Sequence, residues 1–308
     1  MNAIIVGRHG RPSMVEMLKT FSFSSPVNVY TFKRNKSGKE SWFIYVISGN
    51  TVTQRKISGP PSFSKEDKIV MWGTRVPLDT NGAIIYNTPK ALKMSSDKKE
   101  AREAFMSNKV PTPLLIGKRE LDYCNFPLVI RRKHHRAGQD FFVAKDKKSA
   151  LDIVSKLKDD YYMSELYPKT KEFRVHVALG KVLLIKEKPK PEDPNMIAWN
   201  FAQNDLPWST IDRKDYDFTM CNIALDATKA VGLDFGAVDI MSYPKEKGLP
   251  PHVVIEINTA PSYTPYLISK YGAFFDLVFS TDKKIEPWEY KKFKKGKSLS
   301  WKNSQLKK

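Results

Sequence analysis

The sequence predicts an α/β (α+β) protein built from three lobes and a basic tail. Three patterns point there. Short β-rich runs alternate with a helical stretch and polar loops over residues 1–92; residues 93–166 run strand, loop, strand, helix, strand; and residues 167–282 open on a hairpin followed by a long helix and two strands. The expected units are a small N-terminal α/β domain (1–92), a central antiparallel sheet with helices on one side (93–166), a C-terminal sheet lobe (167–282) and the tail (283–308).

In the first unit the strands fall at residues 3–6, 27–32, 42–48, 69–72 and 83–86, where β-branched and aromatic residues cluster. Met14, Met17 and Leu18 give residues 12–21 helical spacing, and residues 33–40 and 59–67 are polar loops. No glycine fingerprint for phosphate follows the first strand, so Arg8, His9 and Gly10 read as a surface turn.

The second unit opens with a helix over residues 97–107, capped by Ser95 or Ser96. Val110-Pro111-Thr112-Pro113 must end it, because a residue before proline is pushed out of the helical region. Strands at 126–130 and 140–144 flank a basic loop. Residues 148–158 place Leu151, Val154 and Leu157 on one helical face, and 161–166 form the last strand. In the third unit, residues 173–179 and 182–188 flank Gly180-Lys181 as a tight turn. A helix over residues 214–231 buries Cys221, Leu225, Thr228 and Val231 and stops at Gly232, and strands follow at 237–241 and 253–258.

Composition narrows the class. At 308 residues and 41% hydrophobic content the chain builds a sizeable core. It has no apolar run long enough for a bilayer and no signal-peptide pattern near Met1, so a cytoplasmic protein without a membrane partner is expected. Two cysteines, Cys124 and Cys221, suit a reduced compartment, and the five histidines show no zinc spacing. The formal net charge of +19 implies an anionic partner. Residues 283–308 hold ten lysines against Glu286 and Glu289, among Trp288, Tyr290, Phe293 and Trp301; the tail reads as a solvated basic segment, with nucleic-acid contact as the alternative.

The sharpest chemistry lies in Val254-Ile255-Glu256-Ile257-Asn258-Thr259-Ala260-Pro261. Residues two apart in a strand share a face, so Glu256 and Asn258 point together, and Asp239 in the preceding strand adds a second carboxylate. Each sits in an apolar run, where an unpartnered charge costs several kcal/mol. Mg²⁺ takes oxygen ligands and keeps phosphate oxygens in its shell, so two ions sharing Glu256 would suit the β- and γ-phosphates of ATP; Mn²⁺ is the alternative ion.

Glu-x-Asn-Thr-Ala-Pro after a Val-Asp-Ile strand resembles the metal-binding end of the ATP-grasp superfamily, which includes D-alanine–D-alanine ligases, glutathione synthetases and ribosomal-protein glutamate ligases. The resemblance spans Trp72 to Tyr266. Met71-Trp72-Gly73, Ser96-Asp97-Lys98 and Val110-Pro111-Thr112-Pro113 look like small phage-type members, with host cytoplasm as the setting. It implies the ATP-grasp fold and roles position by position. Lys98 is similar to the helix-start lysine that reaches a phosphate. Arg131 takes the place of a strand-end lysine, with Arg132 and Lys133 as alternatives. The loop with Gly138 replaces a glycine-rich phosphate flap and carries His134 and His135. Tyr162-Met163-Ser164-Glu165-Leu166-Tyr167 resembles the adenine hinge, with Glu165 and Leu166 at the base and Glu172 at the ribose. Arg174 resembles the arginine at the transferred phosphate, Lys186 or Lys188 a further phosphate lysine, and Asn200 a substrate or phosphate contact.

The activity so implied is an ATP-dependent carboxylate–amine ligase that passes through an acyl-phosphate and releases ADP and phosphate. Arg174, Lys188 and Asn200 are the expected catalytic residues, with ATP and two Mg²⁺ as cofactors and an acidic peptide, protein or nucleic acid as one of the two substrates. Two alternatives stand beside it: an ATP-grasp kinase, and a nucleic-acid-binding protein that keeps the fold without the catalysis.

Overall fold

Three sheets follow one another along the chain in the predicted order. The computed structural model describes residues 2–8, 16–17, 19–24, 26–35, 37–48, 51–133, 140–191, 197, 199, 208–243, 249–261 and 265–281.

The N-terminal sheet comprises β1 (Ala3–Arg8), β2 (Val27–Arg34), β3 (Glu40–Ser48), β4 (Thr51–Ile57), β5 (Lys68–Trp72) and β6 (Ile84–Tyr86), in the order β4-β3-β2-β1-β5-β6. Strand β1 is parallel to both β2 and β5, and β3 and β4 continue the edge antiparallel. Both faces of its centre are covered, so β1 and β5 are almost wholly apolar. Ile4, Val6, Ile69 and Met71 enter one core, while Ala3, Ile5, Val70 and Trp72 enter the other. Strand β4 goes beyond the sequence expectation: Thr-Val-Thr-Gln-Arg-Lys-Ile is largely exposed and polar, as an outer strand bonded only to β3 can be. Of the helix expected over 12–21, residues 16–17 and 19–20 are helical, and 9–15 and 18 lie outside the described residues.

The central sheet, β7 (Leu115–Ile116), β8 (Leu128–Arg131), β9 (Phe141–Ala144) and β10 (Tyr162–Glu165), runs β7-β10-β8-β9 and is antiparallel throughout. One face packs on the helix Lys147–Leu157 through Leu128, Ile130, Ala144, Met163, Val154 and Leu157. Alternation then turns Arg131, Phe141 and Tyr162 to the opposite face.

Two helices lead into this lobe, α1 (Pro89–Ser96) and α2 (Lys98–Ser107); the helix over Lys147–Leu157 is α3. The cap of α2 is Asp97, whose carboxylate accepts from the N–H groups of Lys99 (2.9 Å) and Glu100 (3.1 Å), in place of the expected Ser95 or Ser96. Those serines belong to the last turn of α1, which proline at its first position starts early.

The C-terminal sheet runs β13-β12-β11-β14-β15, with β11 (Lys171–Ala178), β12 (Lys181–Lys188), β13 (Ser209–Thr210), β14 (Phe235–Ser242) and β15 (His252–Asn258). The β11–β12 turn is Leu179-Gly180, both at positive φ (40° and 69°), one residue before the predicted pair. Helix α4 (Phe218–Ala230) buries Cys221, Leu225 and Thr228 as expected, and Gly232 follows at φ 72°.

Helix α5 (Pro265–Ser280) goes beyond the elements the sequence predicts. Leu267, Ile268, Tyr271, Phe274, Phe275 and Val278 are buried against Trp72 and Val70 on one side and Phe235, Ala178 and Leu184 on the other. The outward face of α5 is narrow, with Ser269 and Ser280 exposed and Lys270 and Asp276 half-buried, so most of the segment reads as apolar residues without a broad polar side. The N-terminal and C-terminal sheets are also tied by polar contacts. Asn87, at φ 59°, accepts from the N–H groups of Asp234 (2.8 Å) and Phe235 (3.1 Å), donates to the Phe235 carbonyl (3.0 Å), and gives its own N–H to Asp234 (2.6 Å). The linker before β7 is bonded to β15: the Val254 N–H meets the Pro111 carbonyl at 2.8 Å and the Thr112 hydroxyl meets the Val254 carbonyl at 2.9 Å.

Candidate active site

Register alone assembles the centre of the site. Lys186 of β12 lies opposite Arg174 of β11, Arg174 opposite Asp239 of β14, and Asp239 opposite Glu256 of β15. Directly paired residues face the same side, so two cations and two carboxylates form one row across four strands. Asn258, two residues on from Glu256, joins the same face.

The row is bonded through. Arg174 holds Asp239 by a two-point fork, Nε to Oδ1 at 2.6 Å and Nη2 to Oδ2 at 2.7 Å. The Asn258 amide donates to Asp239 (3.1 Å) and to Glu256 (3.3 Å). Lys98, the first residue of α2, pairs with the free side of Glu256 at 3.0 Å. Burial pushes the Glu256 carboxyl up, but Lys98, then Arg131 and Arg174, hold it well below the usual carboxylate range. Burial likewise works against the Arg174 charge, and Asp239 more than offsets it, keeping the guanidinium firmly protonated. Lys186 is pushed below an ordinary lysine by burial and by Arg174 beside it.

A second node sits one pair along the hairpin. Glu172 is opposite Lys188, whose ammonium reaches it at 2.7 Å, and Lys169 grips its other oxygen. Lys188 is therefore tied to an acid, while Lys186 has no ion pair among the described residues. Two tryptophans pack on these cations: Trp208 lies 4.7 Å from the Arg174 guanidinium and 5.7 Å from the Lys188 ammonium, and Trp199 lies 4.7 Å from Lys169. Tryptophans 199 and 208 carry no sequence motif, and only the fold shows them against the site.

On the central sheet, Arg131 is half-buried, stacked 5.4 Å from the Phe141 ring. Burial lowers its proton affinity, opposed by Tyr162 and Glu256 and reinforced by Arg102. Glu165 pairs with Leu128, on the face opposite Arg131, and no side-chain contact among the described residues joins it to the acid row. The Leu166 N–H is bonded to the Pro127 carbonyl at 3.3 Å. His134, His135, Gly138 and Asn200 lie outside the described residues. His176, on the Arg174 face of β11, is buried beneath α5, its Nδ1 3.1 Å from the Tyr271 hydroxyl; burial holds it neutral, and it lines no groove.

The donor set fits a hard divalent cation. Asp239, Glu256 and the amide oxygen of Asn258 are oxygen ligands from adjacent strands, and the cations now on both carboxylates meet the charge that such an ion would meet. Among the described residues no group of three His, Cys, Asp or Glu is gathered as a metal site; this set is two carboxylates and an amide.

No known family profile matches the chain, and no curated protein matches it in sequence. Solved structures do. The VanG D-Ala:D-Ser ligase from Enterococcus faecalis is similar at TM-score 0.60 and 14% identity, over 91% of this chain and 98% of that one. The ATP-grasp ligase PsnB, complexed with a phosphomimetic variant of its minimal precursor, Mg and ADP, matches at 0.57 and 13%, over 92% and 99%. The RiPP-associated ATP-grasp ligase from Chryseobacterium gregarium, in complex with ADP and a leader and core peptide, matches at 0.56 and 12%, over 90% and 96%. The overlap extends over nearly the whole of each partner, and the chain has the ATP-grasp fold.

Proposed function

We propose that this chain of ATP-grasp fold is an ATP-dependent ligase that joins a carboxylate to an amine through an acyl-phosphate. The observation that carries the reading is the bonded row Lys186–Arg174–Asp239–Glu256, with Asn258 between the carboxylates and Lys98 closing it from α2. It sets oxygen ligands beside phosphate-seeking cations and contains no nucleophile, as phosphoryl transfer between bound substrates requires.

In the first step a substrate carboxylate oxygen bonds to the γ-phosphorus and the bond to the ADP oxygen breaks. In the second, an amine nitrogen attacks the acyl carbon, loses a proton, and inorganic phosphate leaves. Divalent Mg²⁺, held by Asp239, Glu256 and Asn258, would supply charge neutralisation at the phosphates. Arg174 and Lys186 face the transferred phosphate, and Lys98 and Arg131 face the rest of the chain of phosphates. Glu172 offers acceptors for the ribose hydroxyls, with Lys188 acting through it. Trp208, packed over Arg174, would keep water from the acyl-phosphate. The net charge of +19 supports an acidic or polymeric substrate.

The test is Mg²⁺-dependent ATP turnover with pooled carboxylates, amino acids and acidic peptides, read by mass spectrometry, with Glu256→Ala as control. ADP together with a product formed by loss of one water, both absent in the variant, supports the ligase. ADP formation that no amine changes would indicate a kinase. Absence of nucleotide binding alongside salt-sensitive binding to DNA would replace the reading with a binding protein of the same fold.

A further inference from the structure

Helix α2 carries a second buried cation that the acid row does not use. Lys98 and Arg102 stand one turn apart on the same side of α2. Lys98 ends on Glu256. Arg102 is only 4% exposed, its guanidinium lies 5.1 Å from the Tyr162 ring centroid, and its Nε and Nη1 have no hydrogen-bond partner among the described residues. Burying charged N–H groups without an acceptor is costly, and a leucine or methionine would pack there without that cost. The contact with Tyr162 leaves those two nitrogens without an acceptor among the described residues.

The surroundings say what acceptor is missing. Tyr162 pairs across the sheet with Arg131, and Arg131 with Phe141, all on the face away from the α3 core. Arg131 itself lies over an aromatic ring, 5.4 Å from the Phe141 centroid. Two guanidiniums thus converge on one tyrosine, each held by a ring. The nearest acid acting on Arg131 is Glu256, already bonded to Lys98 and Asn258. The result is a concentration of positive charge at the end of the acid row, and the unpartnered Nε and Nη1 of Arg102 belong to a fork that matches phosphate oxygens bidentately.

We propose that Arg102 is a nucleotide-binding residue which, with Arg131, forms a two-arginine clamp on the polyphosphate. The clamp rests on the ATP-dependent reading above, and it adds a ligand from the middle of α2 to the one at its start. Specificity follows from it: the clamp holds charge on the phosphates, so it favours ATP and ADP and is indifferent to adenosine.

Calorimetric titration of the full chain with ATP, ADP and adenosine, in the presence of Mg²⁺, tests this for the natural protein, Arg102→Met and Arg102→Lys. The expected result is ATP and ADP binding weakened about tenfold or more in Arg102→Met, with adenosine binding changed by less than about twofold. Arg102→Lys keeps the charge but lacks the fork, and is expected to restore only part of the loss; it also serves if the methionine variant does not fold. A merely structural Arg102 would predict a lower melting temperature without nucleotide, whereas the clamp predicts one equal or higher in Arg102→Met. Folded variants that bind ATP as tightly as the natural protein, or that lose adenosine as much as ATP, overturn the clamp and leave the ligase reading standing. Failure of the natural protein itself to bind ATP overturns both.

Discussion

Arg174 and Asp239 face each other across the central pair of the C-terminal sheet and are joined by two parallel hydrogen bonds of 2.6 and 2.7 Å. The pair is mostly buried, so removing one partner leaves the other charged and unsatisfied. Arg174→Ala is expected to destabilise the chain by about 3 kcal/mol in urea unfolding. Arg174→Lys should recover part of the stability and little of the ATP turnover, because lysine cannot form the fork. Equal recovery of both would show that the fork is irrelevant to turnover.

Glu256 gives a pH signature. Its carboxyl is depressed from an ordinary value of 4.5, burial notwithstanding, by Lys98, Arg131 and Arg174. A depressed acid stabilises the fold above its unfolded pKa, and that contribution drains away as pH falls toward the folded value. Melting temperature should therefore fall between about pH 5 and pH 3. In Lys98→Met the carboxyl loses its largest cationic partner and the fall should be shallower. Parallel melting curves for the two proteins would exclude the ion pair as its source.

Lys186 and Lys188 should separate cleanly. Lys188 neutralises Glu172 together with Lys169, whereas Lys186 stands in the row beside Arg174. Lys186→Met is expected to abolish turnover at unchanged stability, since burial and Arg174 already disfavour its charge. Lys188→Met should cost roughly 1–2 kcal/mol of stability and weaken ATP binding through a displaced Glu172. Reversed effects on turnover and stability would exchange the two roles.

Gly73 allows α5 and the loop after β15 to close on the N-terminal sheet. Its φ is +61°, and a Cβ there would stand 2.3 Å from the Ala260 Cβ. Gly73→Ala should lose about 3 kcal/mol by clash and backbone strain together. Adding Ala260→Gly removes the clash and should return all but about 1 kcal/mol. No recovery in the double variant would assign the whole cost to φ.

Asn87 fastens the N-terminal sheet to β14 through four hydrogen bonds. Asn87→Gly retains the left-handed backbone and removes three of these, with an expected loss of about 2–4 kcal/mol in chemical denaturation. A loss below about 0.5 kcal/mol would mean that apolar packing alone holds the two sheets together.

By itself the sequence determined most strands of the three sheets, the stop at Gly232 and the placing of Glu256 and Asn258 on one strand face, with Asp239 in the strand before. Those are local signals: alternation, a left-handed glycine, and charges set in apolar runs, which physical cost makes conspicuous. It did not show α5, whose polar stripe of Ser269, Lys270, Asp276 and Ser280 is narrow among apolar residues, nor β4, because an outer strand needs no apolar face. Nor did it show which lysine is tied to an acid, since Lys186 and Lys188 look alike until register sets one beside Arg174 and the other on Glu172. The tertiary structure alone decided that Arg102, unremarked in its helix, is buried against Tyr162 with its Nε and Nη1 unpartnered among the described residues. Whether a charge is satisfied depends on groups sixty residues away, and no local pattern of residues records that.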